Sequence, residues 1–261
     1  MKDRKFNTIS INTNNKVVWL NLNRPEVHNA MNAEMIAELS EVFSSFKEDK
    51  SIRAVVLTGN GKSFSAGADL NYMKSIAGFG FEENVADGKK LAGLFTAIYD
   101  CPVPTIALIH GAAFGGANGL IAACDIAIAE KNTTFAFSEV KLGIAAATIA
   151  PFVIKRIGEF GAKELMMTGK RFKADEAKRW NLVNHVYENG LTENPLSRIL
   201  DEFESSAPDA VKQTKALIKN ILGKDIDESV ELTSRLIAKL RASEEGQEGM
   251  AAFLEKRKPH F

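Results

Sequence analysis

"GAAFGGANGL", residues Gly111 to Leu120, holds four glycines and three alanines in ten positions and has no ionisable group. The apolar run "TIALI" (105–109) leads into it, and "LIAACDIAIAE" (120–130) leads out. The entry run is short, apolar and rich in β-branched residues, as in a buried strand. The exit reads as the end of a helix passing into a second strand. A strand, a bare glycine turn, a helix and another strand in succession point to right-handed crossovers and a largely parallel sheet.

Working outward, the same alternation recurs toward the N-terminus. "KVVWLNL" (16–22) reads as a strand that stops at the turn-like Asn23-Arg24-Pro25. Asn32 is placed as the N-cap of a helix whose apolar face carries Met35, Ile36, Leu39, Val42, Phe43 and Phe46 at three-and-four spacing. "RAVVLTG" (53–59) reads as a second buried strand, and "GNGKSFSAGADL" (59–70) as a glycine-containing loop after it. A helix is expected around 82–99, ahead of Pro102-Val103-Pro104. Beyond about residue 147 the texture becomes helical. "TIAPFVIKRIG", "AKELMMTG", "ADEAKRWN", "APDAVKQTKALIKNILG" and the stretch from Asp227 onward carry helical periodicity, and only "LVNHVYE" reads as a strand. No repeat or long linker divides the chain, so one folded unit is expected.

Composition narrows the classes. The 261 residues are 45% hydrophobic and 25% charged, enough for a sizeable α/β core. Thirty-three Lys and Arg balance thirty-three Asp and Glu, so no global field favours nucleic acid or an anionic membrane. No apolar leader and no run of the ~18 apolar residues needed for a membrane span is present, and a cytoplasmic protein is expected. Cys101 and Cys124 have no neighbouring histidines at ligand spacing, and the four histidines form no ligand pair. Reduced buried thiols and no metal are expected.

Two loops, 63–70 and 111–120, each follow an expected strand and open an expected helix. Unpaired N–H groups at such junctions suit an oxyanion, and small residues let a ligand approach the backbone itself. Neither loop has the glycine order of a phosphate-binding P-loop or dinucleotide fingerprint. Close helix–strand packing is the competing reading of the same glycines. In "TFAFSEVKLG" (134–143), Phe135, Phe137 and Glu139 share one face if the strand continues, which sets a carboxyl at the end of an apolar row. Apolar surroundings raise a carboxyl's pKa toward the range of a general acid or base, whereas a solvated acid at a strand end is the alternative.

"NRPEVHNAMN", "GNGKSFSAGADL", "GAAFGGANGLIAACDIAIA", "FAFSEVKLGI" and the closing "FLEKRKPHF", in this order and spacing, resemble the enoyl-CoA hydratase/isomerase (crotonase) superfamily over nearly the whole chain. The resemblance implies an α/β spiral of ββα units in residues 1–195 and a helical oligomerisation region in 196–261. It also implies assembly as a homotrimer or homohexamer. The substrate implied is an acyl-CoA thioester, with CoA as part of the substrate and no separate cofactor. By residue-by-residue transfer, the amides of Ala68 and Gly116 hold the thioester oxygen and Glu139 is the acid/base. Val27, His28, Ala30, Ala66, Asp69, Leu70 and Gly115 lie along CoA or the acyl group. Phe253 and Lys256 approach the CoA phosphates of a neighbouring subunit.

One departure from the pattern stands out. Well-known hydratases of the superfamily carry a second glutamate three residues after the oxyanion glycine, and here that position is Gly119. Hydration by one carboxylate is then expected; double-bond isomerisation, decarboxylation and thioester hydrolysis are the alternatives on the same oxyanion hole. A non-catalytic acyl-CoA-binding oligomer is the reading from outside enzymology. The stretches 113–129 and 138–158 are most similar to bacterial methylglutaconyl-CoA hydratases of leucine breakdown, with Lys141 the candidate cation for a distal substrate carboxylate.

Overall fold

The computed structural model describes residues 5–46, 49, 51–188 and 195–261. A six-stranded sheet runs through its centre in the order β1-β2-β3-β4-β6-β9, from β1 (Ile9–Asn14) and β2 (Val17–Leu22) through β3 (Ala54–Gly59), β4 (Thr105–Ile109) and β6 (Ile126–Glu130) to β9 (His185–Tyr187). Every pair is parallel except the β1–β2 hairpin. A smaller sheet holds β5 (Ala112–Phe114), β7 (Thr134–Ala136) and β8 (Arg171–Lys173) in the order β5-β7-β8. The strands expected at 16–22, 53–59, 105–109 and the end of 120–130 all form. So does β9, inside "LVNHVYE".

The hairpin closes on Asn15 and Lys16, with φ of 49° and 63°. Two left-handed residues in a two-residue loop match the right-handed twist of the flanking strands. α1 (Ala33–Ser45) starts where Asn32 caps it, its side chain accepting from the Met35 amide at 2.9 Å. That bond satisfies one of the donors a helix N-terminus leaves free. α1 packs on α3 (Phe81–Tyr99), and Leu39, Val42, Phe43, Phe95 and Ile98 are wholly buried between these helices and the sheet. α4 (Ala117–Ala123) is buried along its whole length. α5 (Ala150–Thr168) is broken at Gly158, whose φ of 74° and ψ of 169° separate its two helical halves.

The other face of the sheet presents Val17, Ala54, Val56, Ile106 and Ile128 to α7 (Pro195–Ser205), which contributes Leu196, Ile199, Leu200 and Phe203. A parallel sheet needs cover on both faces, and α7 supplies it here. α6 (Ala174–Arg179) connects β8 to the turn before β9. α8 (Pro208–Ile221), α9 (Ile226–Arg241) and α10 (Glu244–Glu255) pack on one another. Both cysteines are free and buried, and burial pushes the Cys124 thiol up to about 12, so neither presents a thiolate. Among the described residues no helix is long and apolar enough to cross a membrane, and no group of three or more His, Cys, Asp or Glu could hold a metal.

One expected feature does not form. β7 ends at Ala136, and Glu139 stands on a 3-10 turn, Ser138–Leu142. Phe135, Phe137 and Glu139 therefore do not alternate along one strand. The two phenylalanines still share a partner, both stacking on Phe172 with centroids 5.6 and 6.1 Å away. The Ala136 carbonyl still accepts from the Gly115 amide at 2.9 Å as the last bond of the β5–β7 ladder, and beyond it the chain coils into the 3-10 turn.

Candidate active site

Backbone hydrogen bonds draw three loops together at the ends of β2, β3 and β4. Ala66 N–H donates to His28 O at 2.8 Å, and Ser65 N–H donates to Ala112 O at 3.1 Å. Residues 65–69 thus lie between the loop after β2 and strand β5. On one side, Met31 N–H bonds Gly67 O at 2.7 Å and Asp69 N–H bonds Met31 O at 2.9 Å. This bridge uses the groups that flank Ala68, so the Ala68 amide itself points the other way. On that other side the Ser65–Ala113 bridge leaves the β5–α4 turn against Gly67, where a side-chain carbon would stand 2.6 Å from Phe114 O and 3.8 Å from Gly115 Cα. Gly67, at φ 91°, is the residue type that allows both the backbone turn and the contact.

The Gly115 amide is engaged by Ala136 O and the Asn118 and Gly119 amides by Gly115 O and Gly116 O. Neither the Ala68 nor the Gly116 amide has a hydrogen-bond acceptor among the described residues. The two loops that carry these free donors meet where Gly67 approaches Phe114 O and Gly115 Cα.

The carboxyl of Glu139 lies against the same turn. Its Oε1 is 3.4 Å from where a Gly115 side chain would begin. Its Oε2 is buried and unpartnered among the described residues. Burial raises the carboxyl above the usual Glu range, with its own backbone amide pulling weakly the other way. The 3-10 turn reaches by different geometry the apolar environment that an extended strand would have given.

The remaining site residues divide. Val27, His28, Ala30, Ala66, Asp69 and Leu70 lie on the loops around Ala68, with His28 and Leu70 exposed and Ala30 and Asp69 buried. His28, left-handed at φ 53°, places Nδ1 3.2 Å from Ser63 Oγ, and Asn29 beside it ties the loop to Asn60 O and Ser63 O, each at 2.8 Å. Asp69 is 4% exposed and its side chain is fully occupied: it caps α2 (Leu70–Ile76) through the Asn71 and Tyr72 amides and pairs with Arg24 at 2.9 Å. Phe253 and Lys256 stand apart in the single chain. Phe253 is 83% exposed on α10, and Lys256 follows that helix in a left-handed turn.

Two further positions bear on the chemistry. At Gly119 a side chain would overlap Ile149 and stand 2.7 Å from Phe95 Cζ, so the place of a second glutamate is filled by apolar side chains. Lys141 is exposed, its Cε 3.2 Å from the side-chain position of Gly169 at the end of α5. Sequence reasoning passed over Asn118, wholly buried in α4 with its Nδ2 donating to Ala136 O at 2.9 Å. The signal was a lone amide in an otherwise apolar helix start.

The enoyl-CoA hydratase/isomerase family model matches residues 12–261, and the chain belongs to that family. The crystal structure of an enoyl-CoA hydratase from Shewanella pealeana is 39% identical and superimposes with a TM-score of 0.93, over 99% of this chain and 97% of that one. A short-chain-enoyl-CoA hydratase of Clostridium acetobutylicum is 35% identical over 97% of each chain. A Delta(3,5)-Delta(2,4)-dienoyl-CoA isomerase of Arabidopsis thaliana is 31% identical over 100% of this chain and 99% of its own.

Proposed function

We propose that the chain hydrates the 2,3 double bond of an enoyl-CoA thioester, using the Ala68 and Gly116 amides as an oxyanion hole and Glu139 as the one acid/base. The observation that supports this most directly is the pairing of two unengaged amides with a buried carboxyl against Gly115. Water adds to the β-carbon and gives a proton to the Glu139 carboxylate. The electron pair of the double bond moves onto the thioester oxygen as an enolate. Glu139 then returns the proton to the α-carbon and the carbonyl re-forms, so one water is added and nothing else is consumed. The enolate oxygen carries charge only after attack, which is where preorganised donors act; each is worth ~3 kcal/mol. A raised pKa makes the Glu139 carboxylate a stronger base toward the attacking water and keeps the proton on it until the α-carbon accepts it, so the same group serves both halves of the cycle.

CoA belongs to the substrate on this reading, and no separate cofactor is required. Among acyl groups, the 3-methylglutaconyl chain is the finer proposal; Lys141, the candidate cation for its distal carboxylate, is exposed, which takes support from a dicarboxylic substrate. The exposed apolar residues Ile226, Phe253 and Leu254 on α9 and α10 support assembly into trimers or hexamers, with Phe253 and Lys256 serving a neighbour's CoA site.

Isomerisation is the second reading, favoured by the single carboxyl, since moving a double bond needs one base and no captured water. The deciding experiment incubates the protein with crotonyl-CoA, 3-methylglutaconyl-CoA, a 3-enoyl-CoA and a malonyl-type thioester and identifies the products by mass. A 3-hydroxyacyl product from crotonyl-CoA is expected, and Glu139→Gln is expected to abolish most of it while leaving CoA-ester affinity within a few-fold. An unimpaired Glu139→Gln enzyme would sink the one-carboxyl mechanism. Tight binding with no product from any thioester would leave an acyl-CoA binder.

A further inference from the structure

Asn118 is wholly buried, and its Nδ2 faces three backbone carbonyls: Ala136 at 2.9 Å, Gly115 at 3.3 Å and Ala113 at 3.4 Å. All three neighbours are acceptors, which fixes the orientation of the amide. Its Oδ1 is buried with no partner among the described residues. An unsatisfied buried acceptor costs stability, and asparagine is a poor residue inside a helix. An apolar residue of the same size would fill the volume without either cost. What it could not do is donate.

The three carbonyls belong to the middle of β5, the glycine turn and the end of β7. Ala136 O also takes the Gly115 amide at 2.9 Å, and Gly115 O also takes the Asn118 amide at 2.9 Å, so the bonds close on themselves. Glu139 follows Ala136 by three residues, and Phe137 between them is held by its stack on Phe172. Gly116 follows Gly115 directly.

We propose that Asn118 is a positioning residue, whose carboxamide fastens the Gly115–Gly116 turn to the end of β7 and so fixes the Gly116 amide relative to the Glu139 carboxyl. The catalytic consequence rests on the hydration reading, whereas the mechanical linkage does not. No charged side chain among the described residues contributes to the raised pKa of Glu139, whose causes are burial and its own amide. The cations of the flanking elements have other partners: Lys141 Cε lies by Gly169, the Arg171 guanidinium 5.5 Å above the Phe114 ring, and on α5 Lys155 lies over the Tyr99 ring, Arg156 donates to Leu182 O and Cys124 O, and Lys163 pairs with Glu159. A loosened turn would therefore act on Glu139 by admitting water, and the carboxyl would titrate lower.

The test compares wild type with Asn118→Ala, which removes the donor, and Asn118→Ser, which keeps one in a smaller side chain. Each is followed by carbon-13 NMR titration of the Glu139 carboxyl, assigned through Glu139→Gln, and by crotonyl-CoA hydration across pH. Asn118→Ala is expected to lower the Glu139 midpoint and reduce kcat about 10–100-fold with KM changed by only a few-fold, in line with a small misplacement of reacting groups. Asn118→Ser should recover part of both, and decides the matter alone if the alanine variant does not fold. A Glu139 midpoint that stays at the wild-type value in a folded variant overturns the proposal, whatever happens to thermal stability. If wild type hydrates nothing yet the midpoint falls, the linkage stands and the hydration reading fails.

Discussion

At position 119, α4 turns its side toward Phe95 and Ile149, both inaccessible to solvent. The glycine there is a packing requirement: Phe95 Cζ would lie 2.7 Å from a first side-chain carbon. Adding volume to a filled site forces neighbours off their rotamers at about 1–3 kcal/mol, and a carboxylate without a partner adds its own desolvation. Gly119→Glu is therefore expected to lose roughly 3 kcal/mol or more in urea unfolding and to gain no hydratase activity. Combining it with Phe95→Ala should recover part of the stability by opening the volume. A folded Gly119→Glu enzyme with a higher kcat would mean that Phe95 and Ile149 yield easily. The absence of a side chain at position 119 is thus set by the surrounding core as well as by that one residue.

The N-terminus of α2 joins the site to the loop after β2. Asp69 accepts from the Asn71 and Tyr72 amides at 2.8 and 3.0 Å and pairs with Arg24, which also donates to Ala30 O at 2.5 Å. Burial alone would raise the Asp69 carboxyl, but its hydrogen bonds from the Tyr72 amide, Arg24 and the Asn71 amide outweigh that and hold it below its ordinary 3.8. A group that is more acidic in the folded state adds stability above its unfolded pKa and loses it as pH falls through the folded one. Asp69→Asn is expected to cost about 1–3 kcal/mol at pH 7, discounted for the partly open Arg24 side chain. Chemical denaturation repeated in progressively more acid buffer, below pH 3.8, should show that difference shrinking toward zero. A gap that stays constant into acid would remove the charge from the explanation.

The elements were legible where local chemistry and burial agreed. Asn32 with its three-and-four apolar spacing marked α1, and the helical texture of "TIAPFVIKRIG" and "AKELMMTG" marked the two halves of α5. Strand β1 was not read, because only Ile9 of its six residues is buried and its hairpin uses Asn15-Lys16 where Asn-Gly would be the recognisable pair. Strands β5 and β8, three residues each, are too short to show a period and exist through pairing with β7, whose own alternation from Phe135 was legible but stops at Ala136. The coil at Glu139 was hidden for a related reason: β7 extends only as far as its partner β5, and their pairing ends at Phe114 and Ala136. The site's glycines, by contrast, could be located from sequence while their partners could not. Nothing local in "GAAFGGANGL" names Phe95 or Glu139 as the neighbours.

Across the whole molecule, apolar residues of the C-terminal helices serve two different ends. Those of α7 are consumed within the chain: Leu196 is 3% exposed and packs with Val56, Ile106 and Ile128 on the second face of the sheet. Those of α9 and α10 are not, with Ile226 at 84% and Leu254 at 80% exposed. Removing buried methyl groups costs transfer and cavity energy together, so Leu196→Ala is expected to lower stability by about 2–4 kcal/mol, independently of protein concentration. Leu254→Asp removes no packing that the single chain makes. Its effect should appear only where a second copy covers α10, as a smaller mass in sedimentation and a melting temperature that no longer rises with concentration. If Leu254→Asp leaves the mass of the assembly unchanged, α10 does not mediate it. If Leu196→Ala instead changes the mass and spares stability at fixed concentration, α7 is an interface element and the sheet's second face must be covered in some other way.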